Sequence, residues 1–187
     1  WANKAIKEAK KVGKVNIVAD CQKEIPTRVP SMDELKLTPD AAYLHITTNE
    51  TISGAQWKEI PNVACPIVAD MSSDILSRPI DVSKFGLIYA GAQKNLGPSG
   101  LTVVIIRNDL AEAAPENLPT MLQYRTHIAE DSLYNTPPTY GIYICGKVFK
   151  WIKKMGGLQA MKELNEKKAK ILYDFLDESK LFKGRSE

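Results

Sequence analysis

The chain has 187 residues, enough for one domain with a real core, and its 44% hydrophobic and 25% charged residues are ordinary for a soluble globular protein. A net charge of +3 is too small to argue for a nucleic-acid or membrane-surface partner. The three cysteines, Cys21, Cys65 and Cys145, are far apart and odd in number, which argues against a disulfide framework or metal spacing and for a reducing, cytoplasmic compartment.

Residues 3–11 read as a helix ended by Gly13, and "VNIV" (15–18) as a short strand. The polar, proline-bearing stretch 19–39 reads mostly as loop, with a helical turn near Met32–Leu35. Further strands are predicted at 41–48, 65–70, 86–91 and 101–107. Their runs are continuous and apolar, the pattern of strands buried on both faces. A short helix follows at Asn108–Ala113, and "NTPPT" (135–139) is a turn. A helix at 139–155 carries Ile144, Val148, Trp151, Ile152 and Met155 on its apolar stripe and stops at Gly156 and Gly157. The last helix, about 158–178, spaces Leu158, Met161, Leu164, Ile171, Leu172 and Phe175 for one buried face. The class is α/β, a mostly parallel, mixed sheet with helices on both faces. No stretch approaches the roughly 18 apolar residues of a membrane span. "NET" (49–51) matches a glycosylation sequon and reads as chance.

In open α/β sheets ligands gather outside the carboxyl ends of the strands. Thr51, Asp70 and Lys94 all follow such ends, so a hydroxyl, a carboxylate and an amine can converge on one crevice. Each has a plainer reading. Asp70 suits a cap or loop anchor for "MSSDIL", Thr51 a loop hydroxyl, and Lys94 a solvated loop lysine. Together they suit pyridoxal phosphate. A lysine amine forms a Schiff base with its aldehyde, and an acid beside the pyridinium nitrogen keeps that nitrogen protonated. Thr51 would serve the ring's phenolic oxygen and Gln93 the phosphate, while Gly91, Gly97 and Gly100 let the backbone pass close. Hydrolase readings fail: "GPSG" (97–100) is no nucleophile elbow, and His45 and His127 sit in no nucleophile motif. No H-E-x-x-H or cysteine pair supports a metal, and no Walker loop precedes Lys94.

"NETISG", "ADMSSDILSRP", "YAGAQKN" followed by "GPSG", and "YNTPP" occur in that order. Together they resemble the phosphoserine aminotransferase family, class-V aminotransferases of the fold-type-I pyridoxal-phosphate enzymes. The resemblance covers nearly the whole chain. It implies that Lys94 is the Schiff-base lysine, Asp70 the pyridinium partner, Thr51 the ring contact and Gln93 a phosphate-side contact. Trp1, in a segment resembling W-x-x-x-A-x-x-E-A, is implied to stack on the ring. Asn135 and Thr136 are implied to reach the cofactor phosphate of a neighbouring subunit, giving a homodimer with shared sites. The implied reaction moves the amino group of glutamate to 3-phosphohydroxypyruvate, in serine and, in bacteria, vitamin B6 biosynthesis.

The chain opens on Trp1 without an initiator methionine and closes soon after a long helix. The expectation is that residues 1–187 are most of the large, cofactor-binding domain of a longer protein. The family's N-terminal glycine-rich loop and C-terminal small domain, with substrate-binding arginines, are absent, so this stretch alone is expected not to transaminate. Alternatives are a serine–glyoxylate aminotransferase, a cysteine desulfurase, for which the cysteines lie in no suitable loop, or a non-catalytic fragment.

Overall fold

The computed structural model describes residues 1–21, 23 and 27–186. Its frame is one four-stranded sheet of β1 (Leu44–Thr47), β2 (Ile67–Asp70), β3 (Leu87–Gly91) and β4 (Thr102–Ile106), lying side by side in that order. The pairs β1–β2 and β2–β3 are parallel, and β4 returns antiparallel to β3. A mostly parallel sheet with an antiparallel edge is a common α/β arrangement.

The register sorts the side chains onto two faces. Leu44 and Ile46, Ile67 and Ala69, and Ile88 and Ala90 are buried and form one wall of the core. Met71, Ile75, Phe85 and Leu96 complete it from the loops. The opposite face carries His45, Thr47, Asp70 and Tyr89. The strands therefore alternate. The expectation of burial on both faces is corrected at β4, where the adjacent Val104 and Ile105, on opposite faces, are 39% and 41% exposed, so the described residues cover neither face fully there.

The expected strand at 15–18 does not form. Val18 accepts one backbone bond, from Lys36 N–H, and Asn16 holds the same segment through its side-chain amide. One bond is no ladder, and apolar character cannot supply a partner strand. The helical turn near Met32–Leu35 is a 3-10 turn, Met32–Glu34. It is closed by a capping box, with the Ser31 N–H donating to Glu34 at 2.8 Å. Arg28 donates to both Glu34 oxygens, and with Ser31 it holds that carboxyl well below the usual carboxylate range. The parts of the expected 19–39 loop at 22 and 24–26 lie outside the described residues.

The helices are α1 (Ala2–Val12), α2 (Asn108–Glu112), α3 (Tyr124–Ala129), α4 (Thr139–Lys154) and α5 (Gly157–Glu178). Helix α3 carried no recognised sequence signal. Gly156 has φ +103° and Gly157 φ +78°, so this break needs the left-handed region that glycine enters without strain. Helix α4 buries Cys145 in the core and Ile152 beside α5, while Trp151 and Met155 of its expected stripe are about half exposed. Met161 alone is buried on α5. Ile171 is 74% exposed and Leu172 and Phe175 58%, so the expected buried face of α5 ends after its second turn.

Candidate active site

Three loops leave the carboxyl ends of β1, β2 and β3. The first turns back on itself through Glu50 N–H to Ala55 O and Gly54 N–H to Glu50 O, which puts Thr51 at its exposed tip. The second follows Asp70, whose Oδ1 accepts the Ser72 N–H at 2.9 Å. This is the Asx turn that Asp before Ser-Ser favours. The third is the β3–β4 connection carrying Gln93 and Lys94. It is pinned at its base by Ala92 N–H to Leu101 O and Gly97 N–H to Ala92 O.

Side chains bolt the loops together. Ser73 Oγ donates to Asn49 O at 2.7 Å and accepts from Asn49 Nδ2 at 2.9 Å. Gly91 N–H donates to Ser72 Oγ, and Asn95 Nδ2 to Ile75 O. Beneath them Asp74 is fully buried. It accepts from Gln56 Nε2 at 2.7 Å, Ser77 Oγ at 2.9 Å and Arg78 Nη2 at 3.1 Å. Arg78 spends its other donors on the carbonyls of Trp57 and Lys58. A buried carboxylate with this many donors is satisfied, and it ties the first loop to the second.

Between the loops lies a cavity of about 190 Å³ lined by Trp1, Thr47, Asn49, Thr51, Asp70, Ser72, Ser73, Gln93 and Lys94. Five of the sequence-predicted residues, Trp1, Thr51, Asp70, Gln93 and Lys94, thus share one chamber. Lys94 Nζ donates to Thr51 Oγ1 at 2.5 Å, joining the first and third loops across it. Trp1 is brought to the rim because Glu50 accepts the Ala2 N–H at 2.9 Å and so ties the start of α1 to the first loop. Lys4 Nζ lies 4.4 Å from the Trp1 ring centroid. Gln93 folds back over Gly91, where a Cβ would meet its Oε1 at 2.5 Å. Asn135 and Thr136 are not brought to the cavity. They lie exposed before α4, with Asn135 Nδ2 3.1 Å from Met121 Sδ.

The lining also includes Thr47, Asn49, Ser72 and Ser73, which sequence reasoning missed. Asn49 was legible as the neighbour of Thr51, and the two serines as residues just past a strand end. Thr47 needed the register, because it is the Cα partner of Asp70. A larger cavity, of about 420 Å³, lies at the other end of the sheet around Cys65, Lys84 and Arg107 and shares no residue with this one.

The chamber suits a polar ligand. Thr47 Oγ1 is buried and has no hydrogen-bond partner among the described residues, an orphan that costs stability unless something in the chamber meets it. Among the described residues none donates to Asp70 Oδ2, so one carboxylate oxygen is open to a donor. Among the described residues no His, Cys, Asp and Glu side chains gather as a metal site, and no helix is long and apolar enough to cross a membrane.

The family model for class-V aminotransferases matches residues 1–186. A phosphoserine aminotransferase of Geobacillus kaustophilus is 58% identical over 179 residues, 96% of this chain and 50% of that protein. The solved structure of a phosphoserine aminotransferase from Bacillus circulans subsp. alkalophilus superposes with a TM-score of 0.92 at 52% identity, over 95% of this chain and 50% of its own. That of a pyridoxal-phosphate-bound phosphoserine aminotransferase from Trichomonas vaginalis gives 0.93 at 42% identity, over 100% and 56%. The chain spans about half the length of the curated relatives it matches.

Proposed function

The chain belongs to the class-V aminotransferase family, and from that premise we propose that it is the cofactor-bearing part of a phosphoserine aminotransferase. The observation that carries the reading is the convergence of Lys94, Asp70, Thr51, Gln93 and Trp1 on one chamber at the carboxyl ends of three strands. In this reading the enzyme transfers the amino group of glutamate to 3-phosphohydroxypyruvate, leaving 2-oxoglutarate and O-phosphoserine.

Pyridoxal phosphate, when bound, supplies an electron sink for the carbon that loses its proton. Lys94 would hold it through its amine. Once free, that amine moves a proton at the substrate α-carbon, general acid–base work that needs an amine held in one place. Thr51 supplies the hold, since its hydroxyl oxygen accepts from Lys94 Nζ. The Thr51 proton remains to be donated to the ring's phenolic oxygen. Asp70, through its open Oδ2, would hold the ring nitrogen in its protonated form by a charge-assisted bond. Gln93 would offer its amide to the phosphate, and the Trp1 ring would stack on the cofactor ring.

The same reading takes residues 1–187 as part of the large domain and the enzyme as a cytoplasmic homodimer. Asn135 and Thr136 then serve the second copy's site. Their exposure before the stiff Pro137–Pro138 pair, outside their own chain's chamber, supports this. A related phosphorylated substrate of vitamin B6 synthesis belongs to the proposal as well. The 187 residues alone are expected not to transaminate at a useful rate.

The test is to add pyridoxal phosphate to the intact protein, reduce with borohydride and map the labelled peptide. Label on Lys94 supports the reading, and label on another lysine refutes it. Rates with glutamate and 3-phosphohydroxypyruvate, set against serine and glyoxylate, then decide the substrate. Subunit mixing decides the shared site. A Lys94→Ala subunit paired with an Asn135→Ala/Thr136→Ala subunit regains activity only if each site draws on both chains.

A further inference from the structure

Helix α1 starts without a cap of its own. Trp1 stands at its N-cap position, where a side-chain oxygen is wanted and an indole has none, and the first turn holds no acidic residue. The missing acceptor comes from the first loop of the chamber. Glu50 Oε1 accepts the Ala2 N–H at 2.9 Å, and Oε2 lies 2.8 Å from the Trp1 nitrogen. The Ala2 bond needs no charge on Trp1. Glu50 is itself fixed, for its N–H donates to Ala55 O at 2.9 Å and its carbonyl accepts the Gly54 N–H at 2.7 Å. Its neighbour in the loop is Thr51, which accepts from Lys94.

We infer that Glu50 is a positioning residue for Trp1, a cap supplied from the first loop that holds the indole at the chamber for a cofactor ring. This rests on the function proposed above, in which Trp1 stacks on that ring. Little else about α1 can do the holding. The helix has 11 residues and none of them is buried, and a helix of that length with little packing is marginal in water. Lys4 Nζ, 4.4 Å from the indole centroid, ties the ring to its own helix. Ring and helix therefore move as one, and Glu50 fixes where they rest. A carboxylate also suits the positive end of the helix dipole. A ring already in place binds a ligand more tightly than one that must be ordered on binding.

The test uses the intact protein in two arms. Without cofactor, the tryptophans are labelled with fluorine, and the Trp1 resonance is assigned by its loss in Trp1→Phe. Glu50→Ala is expected to narrow that line and move it toward the unfolded chain's position, while the line of Trp57, buried in the core, stays in place. Glu50→Gln keeps one acceptor oxygen and should fall between Glu50→Ala and wild type. The second arm titrates pyridoxal phosphate by its visible band. Glu50→Ala should weaken binding by about 5-fold, the worth of a helix cap, since binding must then do the ordering that the cap had done. In a Trp1→Ala background the same change should cost less than about 2-fold, because Glu50 acts through the indole. A Trp1 line unmoved by Glu50→Ala overturns the inference, and so does an equal loss of affinity in both backgrounds. Wild-type protein that gains no visible band would instead defeat the functional reading. The cofactor-free arm still decides whether Glu50 holds Trp1.

Discussion

The two faces of the sheet are made by the same strands and do opposite work. One presents Leu44, Ile46, Ile67, Ala69, Ile88 and Ala90, all under 8% exposed. The other presents His45, Thr47, Asp70 and Tyr89, polar groups held by one another or left open to a ligand. Side chains alternate along a strand, so each residue of chemistry is backed by a residue of core. The dry face holds the backbone still and the polar face spends that rigidity on placing functional groups. The comparison teaches that stability and activity here should be separable by which face is changed.

The sharpest way to break the separation is at Lys94. Lys94→Ala in the intact enzyme should lower transamination by about 10⁴-fold or more, as loss of a nucleophile that also moves the proton does. Its thermal midpoint should barely move, since the side chain is exposed; a large fall would mean that the loop is structural. Asp74→Ala should do the reverse. Removing the buried carboxylate leaves the half-buried Arg78, Gln56 and Ser77 without their shared acceptor, which costs about 3 kcal/mol. Urea unfolding reads it, and a cost below about 1 kcal/mol would show that the pair is solvated. Ile88→Ala on the dry face should cost about 2–5 kcal/mol through lost burial and the cavity left behind, with kcat of the folded fraction unchanged. A kcat loss would show that the dry face reaches the site.

The smallest expected effect is a pH dependence. The folded-state pKa of His45 lies below its unfolded value of 6.5 because of burial. The unfolded chain then binds the proton first as pH falls below that value, so stability declines on acidification from about pH 6.5. His45→Gln should flatten this part of the stability curve between pH 7 and 5. An unchanged slope would assign the decline to other groups.

Much of this was legible in the sequence, for reasons that can be named. The runs at 65–70, 86–91 and 101–107 contain the observed β2, β3 and β4, because apolar segments bounded by proline, glycine or charge have few other uses. The same pattern misled at 15–18, where no partner strand is hydrogen-bonded. On α5 the periodicity at Ile171, Leu172 and Phe175 is real, yet the described residues leave these side chains 58–74% exposed, with the Phe182 ring tilted 6.3 Å from that of Phe175. Lys94, Asp70, Thr51, Gln93 and Trp1 were legible because their motifs are specific. Thr47 and His45 were not, since threonine and histidine occur in many strands and their place on the polar face depends on a register that no local pattern encodes.

The antiparallel return of β4 carries a consequence for how the molecule assembles. Gly91 and Thr102 are paired across the loop that bears Lys94, whereas β1 reaches β2 only after a crossover from Leu44 to Ile67. The entropy of closing a loop rises with its length, so the lysine hairpin is the least costly part of the chamber to form. The amine is therefore expected to be in place before the carboxylate strand docks beside it. Substitutions at the Tyr89–Val104 pair should slow refolding, while those in β1 should act mainly by hastening unfolding.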